Sequence, residues 1–399
     1  MAVSAQKASV VMIESIKAKT KSIFDELVDL RRDFHAYPEL GFEEVRTTQK
    51  IQAAMESIGA TRLPCPTATG CIYEIDTRRP GKTVVLRGDI DALPISEGTK
   101  KDTHSKHEGI MHACGHDGHA AIVIGVAKIL AAHLDSLCGR FVFLFQPAEE
   151  LHGGAKKMIE GGALKTIDGD VLLSHHLSAP LQTGSFFFRK GITMSRADVL
   201  TIKFKGEGGH GARSSKSGNV VLASAAVVSQ LEHIIKGMNY EGTDCACSAG
   251  VLHAGHACNV VPRFAKLEGS LRTFTNEQRV DAMKRLEDLR SKVVEEYSVD
   301  VTVENGLSIP PVFNDPKVTD QVFRFAEEMG HPCVWTPPLS PSDDISEFLQ
   351  HIPGCHVFIG ASPLKGPVEH HKAEFDIDEQ SLRLGVEVLA QSAMQLASL

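Results

Sequence analysis

The sequence lacks the features that mark membrane-spanning, secreted and nucleic-acid-binding proteins. No apolar run among its 399 residues reaches the ~18 residues of a membrane-spanning helix. Residues 1–22 carry lysines within an amphipathic pattern and have no long apolar segment of the signal-peptide kind. The net charge of −8 gives no basic excess for binding nucleic acid or anionic lipid. We therefore expect a cytoplasmic protein with neither nucleic-acid nor membrane partners.

A disulfide framework and internal repeats are also missing from the sequence. The nine cysteines are odd in number and scattered, which is typical of reduced thiols in the cytoplasm. We expect one of them to be functional. The chain is too long for one ordinary hydrophobic core, so its length predicts about two domains.

The segment 112–119 is the most informative stretch, and it reads His-Ala-Cys-Gly-His-Asp-Gly-His. Cys114 and His116 are both metal ligands when deprotonated, and Gly115 between them permits a turn that aims both side chains at one point. The apolar stretch 120–134 that follows predicts a buried helix. No second Cys or His pair nearby completes a site, so any further ligands must come from elsewhere in the chain. Ordinary loop histidines and a buried free cysteine are the alternative interpretation of the segment alone.

Polar residues of ligand type follow four predicted strands, at 83–86, 141–145, 171–173 and 356–359. Helical stretches alternate with these strands, which predicts a mostly parallel, doubly wound α/β sheet. Functional sites in such sheets form at the carboxyl ends of strands, so these residues can converge. They are Asp91, Glu149 with Glu150, His175 with His176, and His370 with His371, and Cys114 with His116 can join them. Gly360 directly follows the fourth strand and is a further candidate for substrate binding.

The pattern changes between residues 195 and 306, where the predicted order is β-α-β-β-α-β, as in a ferredoxin-like unit. We interpret 195–306 as an inserted lid or dimerisation domain, and 1–194 with 307–399 as a discontinuous catalytic domain. Three polar residues of the insertion are candidates for substrate binding, although each has an ordinary structural interpretation. They are His210, Asn259 and Arg272.

Two adjacent carboxylates, Glu149 and Glu150, suit metal-assisted hydrolysis. In an extended backbone they would point to opposite sides, so that one could bind metal while the other takes a proton from water. The candidate Cys, His and Glu ligands are more numerous than one tetrahedral zinc site needs, so they indicate two metal ions. Acidic residues at a helix start are the alternative interpretation. Asp91 could orient a ligand imidazole, or could be an ordinary turn residue.

Eight motifs occur in order along nearly the whole chain, from about residue 25 to 395. They begin at residues 31, 87, 111, 145, 176, 208, 259 and 271 and read RRDFHxxPELGFE, RGDIDALP, MHACGHD, FQPAEE, HLS, GGH, NVVP and LRTF. In these motifs the chain resembles the hippurate hydrolase and indoleacetyl-amino-acid hydrolase branch of the metal-dependent aminoacylase/carboxypeptidase family.

The resemblance implies a two-domain amidohydrolase that forms a dimer through its lid and binds two divalent ions. The cysteine ligand favours zinc, while the oxygen and nitrogen ligands also suit manganese or cobalt. The resemblance implies Glu149 as the general acid and base. His210, Asn259 and Arg272 match lid residues that bind the substrate carbonyl and carboxylate, with His210 acting across the dimer. The implied metal ligands are Cys114, His116, Glu150, His176 and His371.

The choices of His176 and His371 within their pairs rest on the residues that follow them, so His175 and His370 stay as alternatives. Two segments, 211–219 and 342–345, depart from the family pattern near where the substrate should lie. We therefore expect hydrolysis of N-acyl amino acids, such as N-acetyl or N-benzoyl conjugates, to a carboxylic acid and a free amino acid. A dipeptidase or carboxypeptidase with the same site, and a non-catalytic binding protein, are the alternatives.

Overall fold

The computed structural model describes residues 2–98, 103–213, 215–216 and 218–399, and the side chains from residue 10 onward within these ranges. The chain forms two compact units. The first contains residues 1–191, 313–336 and 347–399, and the second contains 192–312 and 337–346. Among the described residues, no helix combines the length and apolarity needed to cross a bilayer.

The strands are β1 Thr61–Leu63, β2 Cys71–Asp76, β3 Thr83–Asp89, β4 Arg140–Gln146, β5 Val171–Ser178, β6 Phe186–Phe188, β7 Gly191–Met194, β8 Arg196–Lys205, β9 Gly209–His210, β10 Asn239–Tyr240, β11 Thr243–Asp244, β12 Ala246–Ala254, β13 Val260–Val261, β14 Phe264–Thr273, β15 Asp300–Ile309, β16 Val312–Asn314, β17 Cys333–Trp335 and β18 Gly354–Gly360. The helices are α1 Ala2–Ser22, α2 Phe24–Ala36, α3 Val45–Ser57, α4 His116–Ala132, α5 Gly154–Glu160, α6 Ala163–Ile167, α7 Val220–Val228, α8 Leu231–Ile234, α9 Asn276–Tyr297, α10 Pro316–Glu328, α11 Ile345–Leu349 and α12 Gln380–Ala397.

An eight-stranded sheet forms the centre of the first unit, in the order β1-β2-β4-β3-β5-β18-β6-β17. The four inner strands β4, β3, β5 and β18 run parallel to one another. Every residue of β18 is buried, as expected for a parallel strand covered on both faces. The predicted α/β class with a mostly parallel sheet is therefore confirmed.

Helix α4 is apolar on all sides because it packs against the sheet and against helices α2 and α12. Two glycines allow this close approach. A Cβ at Gly118 would lie 2.5 Å from Leu177 Cδ1, and one at Gly125 would lie 2.5 Å from Val386 Cγ2. The helix begins at His116, directly after Gly115, whose φ of 97° is accessible mainly to glycine. The predicted loop leading into a buried helix thus brings segment 112–116 to the end of the sheet.

The second unit contains a four-stranded antiparallel sheet in the order β12-β14-β8-β15, with helices α7, α8 and α9 packed on it. The predicted succession β-α-β-β-α-β is confirmed by β8, α7, β12, β14, α9 and β15. Helix α9 starts with a capping box between Thr275 and Gln278. This unit starts slightly before the predicted insertion and ends slightly after it, and it includes 337–346, which the sequence pattern places in the catalytic domain.

Three predicted elements differ from the structure. Apolar residues at helical spacing predict one helix over 10–34 and another over 219–236. In the structure the first is interrupted at Ile23, and the second is divided between α7 and α8. Strand β5 continues to Ser178, so His175 and His176 lie within the strand and not after it.

Candidate active site

Cys114 and His176 lie together at the end of the sheet. The Sγ of Cys114 is 3.4 Å from Nε2 of His176. Nδ1 of His176 donates a hydrogen bond to the Leu177 carbonyl at 2.8 Å, so Nε2 carries the lone pair that a metal ligand needs. Cys114 belongs to two groups whose ligand atoms lie within 4.8 Å of one another, one with His176 and His370, the other with His116 and Glu150.

His116 is fixed through its other ring nitrogen. Nδ1 donates to Asp91, whose carbonyl oxygen lies at 2.9 Å and whose Oδ1 lies at 3.2 Å. Nε2 then faces the two glutamates, 3.8 Å from Glu150 Oε1 and 4.0 Å from Glu149 Oε2. This buried Nε2 has no hydrogen-bond partner within the part of the chain that the structure describes. A buried ring nitrogen with carboxylates around it and no hydrogen-bond partner fits a site that a cation would occupy.

The loop that carries Glu149 and Glu150 is held by two buried carboxylates. Asp91 accepts hydrogen bonds from the backbone N–H groups of both glutamates at 3.0 Å, and Glu44 accepts one from the N–H of Ala148 at 2.8 Å. Ala148 has a φ of 53°, so these bonds hold a backbone conformation that alanine seldom adopts. The backbone turns here and is not extended, so the expected divergence of the two carboxylates is replaced by proximity of both to His116.

Both histidines of the 370–371 pair reach the site. Nε2 of His371 lies 3.3 Å from Glu150 Oε1, and the His371 backbone N–H donates to the Ala113 carbonyl at 2.9 Å. The His370 ring lies 5.2 Å from the His176 ring, and its buried Nδ1 lacks a hydrogen-bond partner among the described residues. His371 is half-exposed. The geometry therefore brings His371 to Glu150, and His370 to Cys114 and His176.

Cys114, His116, Glu149, Glu150 and His176 form one cluster, and its charges favour a bound cation. Burial raises the pKa of the Cys114 thiol well above its ordinary value, and the nearby Glu150 and Glu149 carboxylates add to the effect. Burial lowers the pKa of His116, but Asp89 and Asp91 outweigh burial and raise it to about 10. Burial, followed by His119, holds the pKa of His176 well below its ordinary value, so this imidazole is neutral and able to bind metal. A thiol, several carboxylates and the neutral imidazole of His176 form a donor set suited to a divalent metal ion, which would displace the proton from His116.

Two buried residues beside the cluster, Asp89 and His119, lie in the RGDIDALP motif and in segment 112–119 respectively, but had no predicted role. Nδ1 of His119 lies 2.6 Å from Asp89 Oδ1, and Nε2 of His119 accepts a hydrogen bond from the Leu177 N–H at 2.8 Å. Because both ring nitrogens are engaged, His119 is unsuited to bind metal, although it lies near His116. The sequence signal was the spacing of three residues between His116 and His119, which places both on one side of a helix.

A buried ion-pair network supports the start of helix α4. Asp117 Oδ2 accepts hydrogen bonds from Arg31 Nε and from His35, both at 2.8 Å, and the other ring nitrogen of His35 lies 3.1 Å from Glu97. Burial raises the pKa of Asp117, but Arg31 outweighs burial and holds it well below its ordinary value. The network anchors the residue that directly follows His116.

The remaining predicted residues of the insertion lie in the second unit. His210 is exposed on β9 and pairs with Val260 of β13. The Gly211 N–H donates to the Asn259 carbonyl at 2.7 Å, so His210 and Asn259 lie on neighbouring segments. Arg272 on β14 is partly buried and donates a hydrogen bond from Nη1 to Ser342 Oγ. Ser342 begins the atypical segment 342–345, which is therefore in direct contact with Arg272.

Gly360 is the last residue of β18, where backbone packing accounts for the glycine. A Cβ at this position would lie 1.9 Å from the Gln182 carbonyl oxygen. Only backbone atoms of Gly360 can therefore take part in binding.

A Cys–His–Glu cluster beside an α/β sheet agrees with a metal-dependent hydrolase. The chain belongs to the peptidase family M20/M25/M40, whose family model matches residues 85–395. Peptidases cleave amide bonds, so the predicted enzyme class, a hydrolase of linear amides, is confirmed.

Individual relatives agree with this placement. The chain is 32% identical over 384 residues to the N-acetyl-L-cysteine deacetylase of Bacillus subtilis, covering 96% of this chain and 91% of that protein. It is 34% identical over 385 residues to the IAA-amino acid hydrolase ILR1-like 2 of Arabidopsis thaliana, covering 95% and 87%. The crystal structure of the Bacillus subtilis YXEP protein, a dinuclear metal binding peptidase from the M20 family, matches with a TM-score of 0.81 and 31% identity, covering 94% and 99%. The resemblance inferred from the motifs is confirmed.

Proposed function

We propose that the protein hydrolyses the amide bond of N-acyl amino acids, releasing a carboxylic acid and a free amino acid, with two divalent cations. The observation that carries the proposal is the sharing of Cys114 between two ligand groups, with Glu149 beside them. Two groups that share one ligand are suited to a pair of nearby ions, and an additional carboxylate can serve as a base. The similarity to a deacetylase and to an amino acid conjugate hydrolase supports the same substrate class.

The proposed ligands are drawn from both groups. His116 and Glu150 would hold one ion with Cys114, and His176 would hold the other with the same thiolate. We assign His371 as the fifth ligand because of its contact with Glu150, and His370 is the alternative. The thiolate favours zinc, while the nitrogen and oxygen donors also suit manganese or cobalt. When bound, such ions polarise a scissile carbonyl and lower the pKa of water.

The chain itself would supply the proton transfers. Glu149 would take a proton from the attacking water and deliver it to the leaving nitrogen. Asp91 would hold the proposed ligand His116 and the proposed base Glu149 in fixed positions relative to each other, because its carboxylate contacts His116 and the backbone of both glutamates. These contacts favour an enzyme over a binding protein, since binding alone does not need a positioned base.

The second unit would contribute substrate recognition. Arg272 would hold the substrate carboxylate, as a guanidinium can do with two parallel hydrogen bonds. His210 and Asn259 would bind the substrate carbonyl, with His210 supplied across a homodimer that forms through this unit, and Gly360 would contribute through its backbone.

The nine cysteines, all free, support a reducing cytoplasmic location.

A dipeptidase or carboxypeptidase activity is the second candidate, favoured by membership of a peptidase family. The two candidates need the same cations and the same base. They differ in whether the group on the scissile carbonyl is an acyl chain or an amino acid.

A substrate panel on the metal-reconstituted protein tests the proposal. N-acetyl and N-benzoyl amino acids would be compared with dipeptides of the same carboxyl-terminal residue, by release of the free amino acid. We expect kcat/KM to be higher for the N-acyl series. Higher values for dipeptides would assign the peptidase activity instead, and no turnover of either series with metal bound would contradict amide hydrolysis of this class.

A further inference from the structure

Three fully buried side chains form a line beneath the metal-binding cluster. Arg87 Nη1 donates to Asp89 Oδ2 at 2.5 Å, and Asp89 Oδ1 lies 2.6 Å from Nδ1 of His119. Arg87 also donates from Nε to Gln146 Oε1 at 2.9 Å, at the end of the neighbouring strand β4. The exposed fraction of each of the three side chains is 0%. Burying a charged pair and a histidine this deeply costs folding free energy unless well-aligned hydrogen bonds compensate for the lost water.

The line continues through the backbone of Leu177 to the proposed ligand His176. The Leu177 N–H donates to Nε2 of His119 at 2.8 Å, and the Leu177 carbonyl accepts from Nδ1 of His176 at 2.8 Å. Nε2 of His176 then faces Cys114 Sγ at 3.4 Å. The backbone of Leu177 in β5 thus connects His119 to the imidazole of His176.

The direction of each hydrogen bond is fixed by the donors and acceptors present. A backbone N–H can only donate, so Nε2 of His119 must be an acceptor and the ring proton lies on Nδ1, directed at Asp89. The Asp89 carboxylate stabilises this tautomer, and Arg87 neutralises that carboxylate. On the other side, a carbonyl can only accept, so His176 holds its proton on Nδ1 and its lone pair on Nε2.

We propose that Arg87, Asp89 and His119 form a positioning relay that fixes the backbone of Leu177 and so orients His176 for metal binding. His119 is a positioning residue and does not itself bind metal, because both of its nitrogens are engaged. The inference rests on the proposed function in one respect, namely that His176 is a metal ligand. Partners that orient a ligand in this indirect way typically contribute about 10- to 100-fold to metal affinity.

Three variants of the full-length protein test the relay, with Co²⁺ as the probe ion. His119→Phe keeps a ring of similar size but removes the acceptor for the Leu177 N–H. His119→Gln can place its amide oxygen near the position of Nε2 and so restore that acceptor. His175→Phe is the matched control, because His175 is equally buried with its ring 5.2 Å from that of His119, and its Nε2 has no hydrogen-bond partner in the described part of the chain.

Co²⁺ affinity would be measured by competition with a chelator, together with the visible absorption of the bound ion and the thermal unfolding temperature of the metal-free protein. We expect His119→Phe to bind Co²⁺ about 10- to 100-fold more weakly with an altered spectrum. His119→Gln should recover most of the affinity even if it unfolds at a lower temperature, and His175→Phe should bind like the wild type. Wild-type affinity and spectrum in His119→Phe would overturn the relay, as would equal losses in His119→Phe and His175→Phe.

His176→Ala separates the relay from the proposed function on which it rests. If His176→Ala loses Co²⁺ affinity while His119→Phe does not, the ligand assignment stands and the relay is wrong. If the wild type binds no Co²⁺, or His176→Ala binds it unchanged, the assignment of His176 is itself wrong and the relay falls with it.

Discussion

Asp91 holds Glu149 through the backbone, with its Oδ1 accepting the Glu149 N–H at 3.0 Å. The same oxygen lies 3.2 Å from Nδ1 of His116, and Oδ2 accepts the Glu150 N–H at 3.0 Å. One carboxylate therefore connects a proposed metal ligand to the loop that carries the proposed base. The sequence indicated that Asp91 could orient a ligand imidazole, but not that it holds the glutamate loop, because the contacts with that loop depend on the left-handed turn at Ala148.

Replacement of Asp91 should impair both functions together. In Asp91→Asn, one carboxylate oxygen becomes an NH₂ group, which cannot accept a hydrogen bond from a backbone N–H. We expect kcat/KM and metal affinity each to fall about 10- to 100-fold. Asp76→Asn, at an exposed carboxylate in β2, is a suitable control and should leave both unchanged. Normal affinity and turnover in Asp91→Asn would show that the contacts of Asp91 are dispensable.

The two glutamates should fail in different ways. Glu149→Gln keeps size and ligands but removes the proton acceptor, so metal content should stay normal while kcat falls by about 10²–10⁴-fold or more. Glu150→Gln replaces an anionic ligand by a weaker neutral one, so metal should be lost and excess metal should restore part of the activity. Metal analysis and turnover with and without added metal distinguish the variants. Metal loss and rescue in Glu149→Gln would reverse the assignment, and activity in both would contradict the proposed mechanism.

The choice between His370 and His371 can be tested by metal stoichiometry. His371→Ala should lose metal because the contact with Glu150 is removed. His370→Ala should retain the ligand set and most of the bound metal. The reverse result would assign His370, which lies with Cys114 and His176, as the ligand.

Arg272 should matter only for substrates that carry a carboxylate. Arg272→Ala should lose about 1.5–3 kcal/mol of transition-state binding on the free acid, which lowers kcat/KM about 10- to 150-fold. The amidated substrate should be hydrolysed equally slowly by wild type and variant. Equal losses on acid and amide would indicate that the contact with Ser342 makes Arg272 structural.

The sequence predicted the fold where apolar runs and turns are local signals. Strands β3, β4 and β18 were located because each is a short apolar run followed by polar residues, and the β-α-β-β-α-β order of the second unit followed from alternation and helical spacing. Strand β5 was predicted too short because Ser174, His175 and His176 read as a polar loop, whereas their backbone pairs with β18.

The metal-ligand candidates were located from residue type, but their surroundings were not. The hydrogen bonds of His119, Asp89 and Glu44 join segments far apart in sequence, so no local pattern indicates them. The inclusion of 337–346 in the second unit was missed for the same reason. Hydrogen bonds between this segment and β7 residues, such as Leu339 N–H to the Thr193 carbonyl at 2.8 Å, decide where it belongs.

The most direct test of the central claim is metal content measured together with turnover on an N-acyl amino acid. The account predicts about two divalent ions per chain, loss of activity after exhaustive chelation, and recovery when metal is added back. Activity should return as the proposed ligands bind metal again. Cys114→Ser replaces the ligand shared by both groups with a weaker one, so this variant should need more metal to regain activity. Full turnover by wild-type protein that elemental analysis finds free of metal would contradict the account.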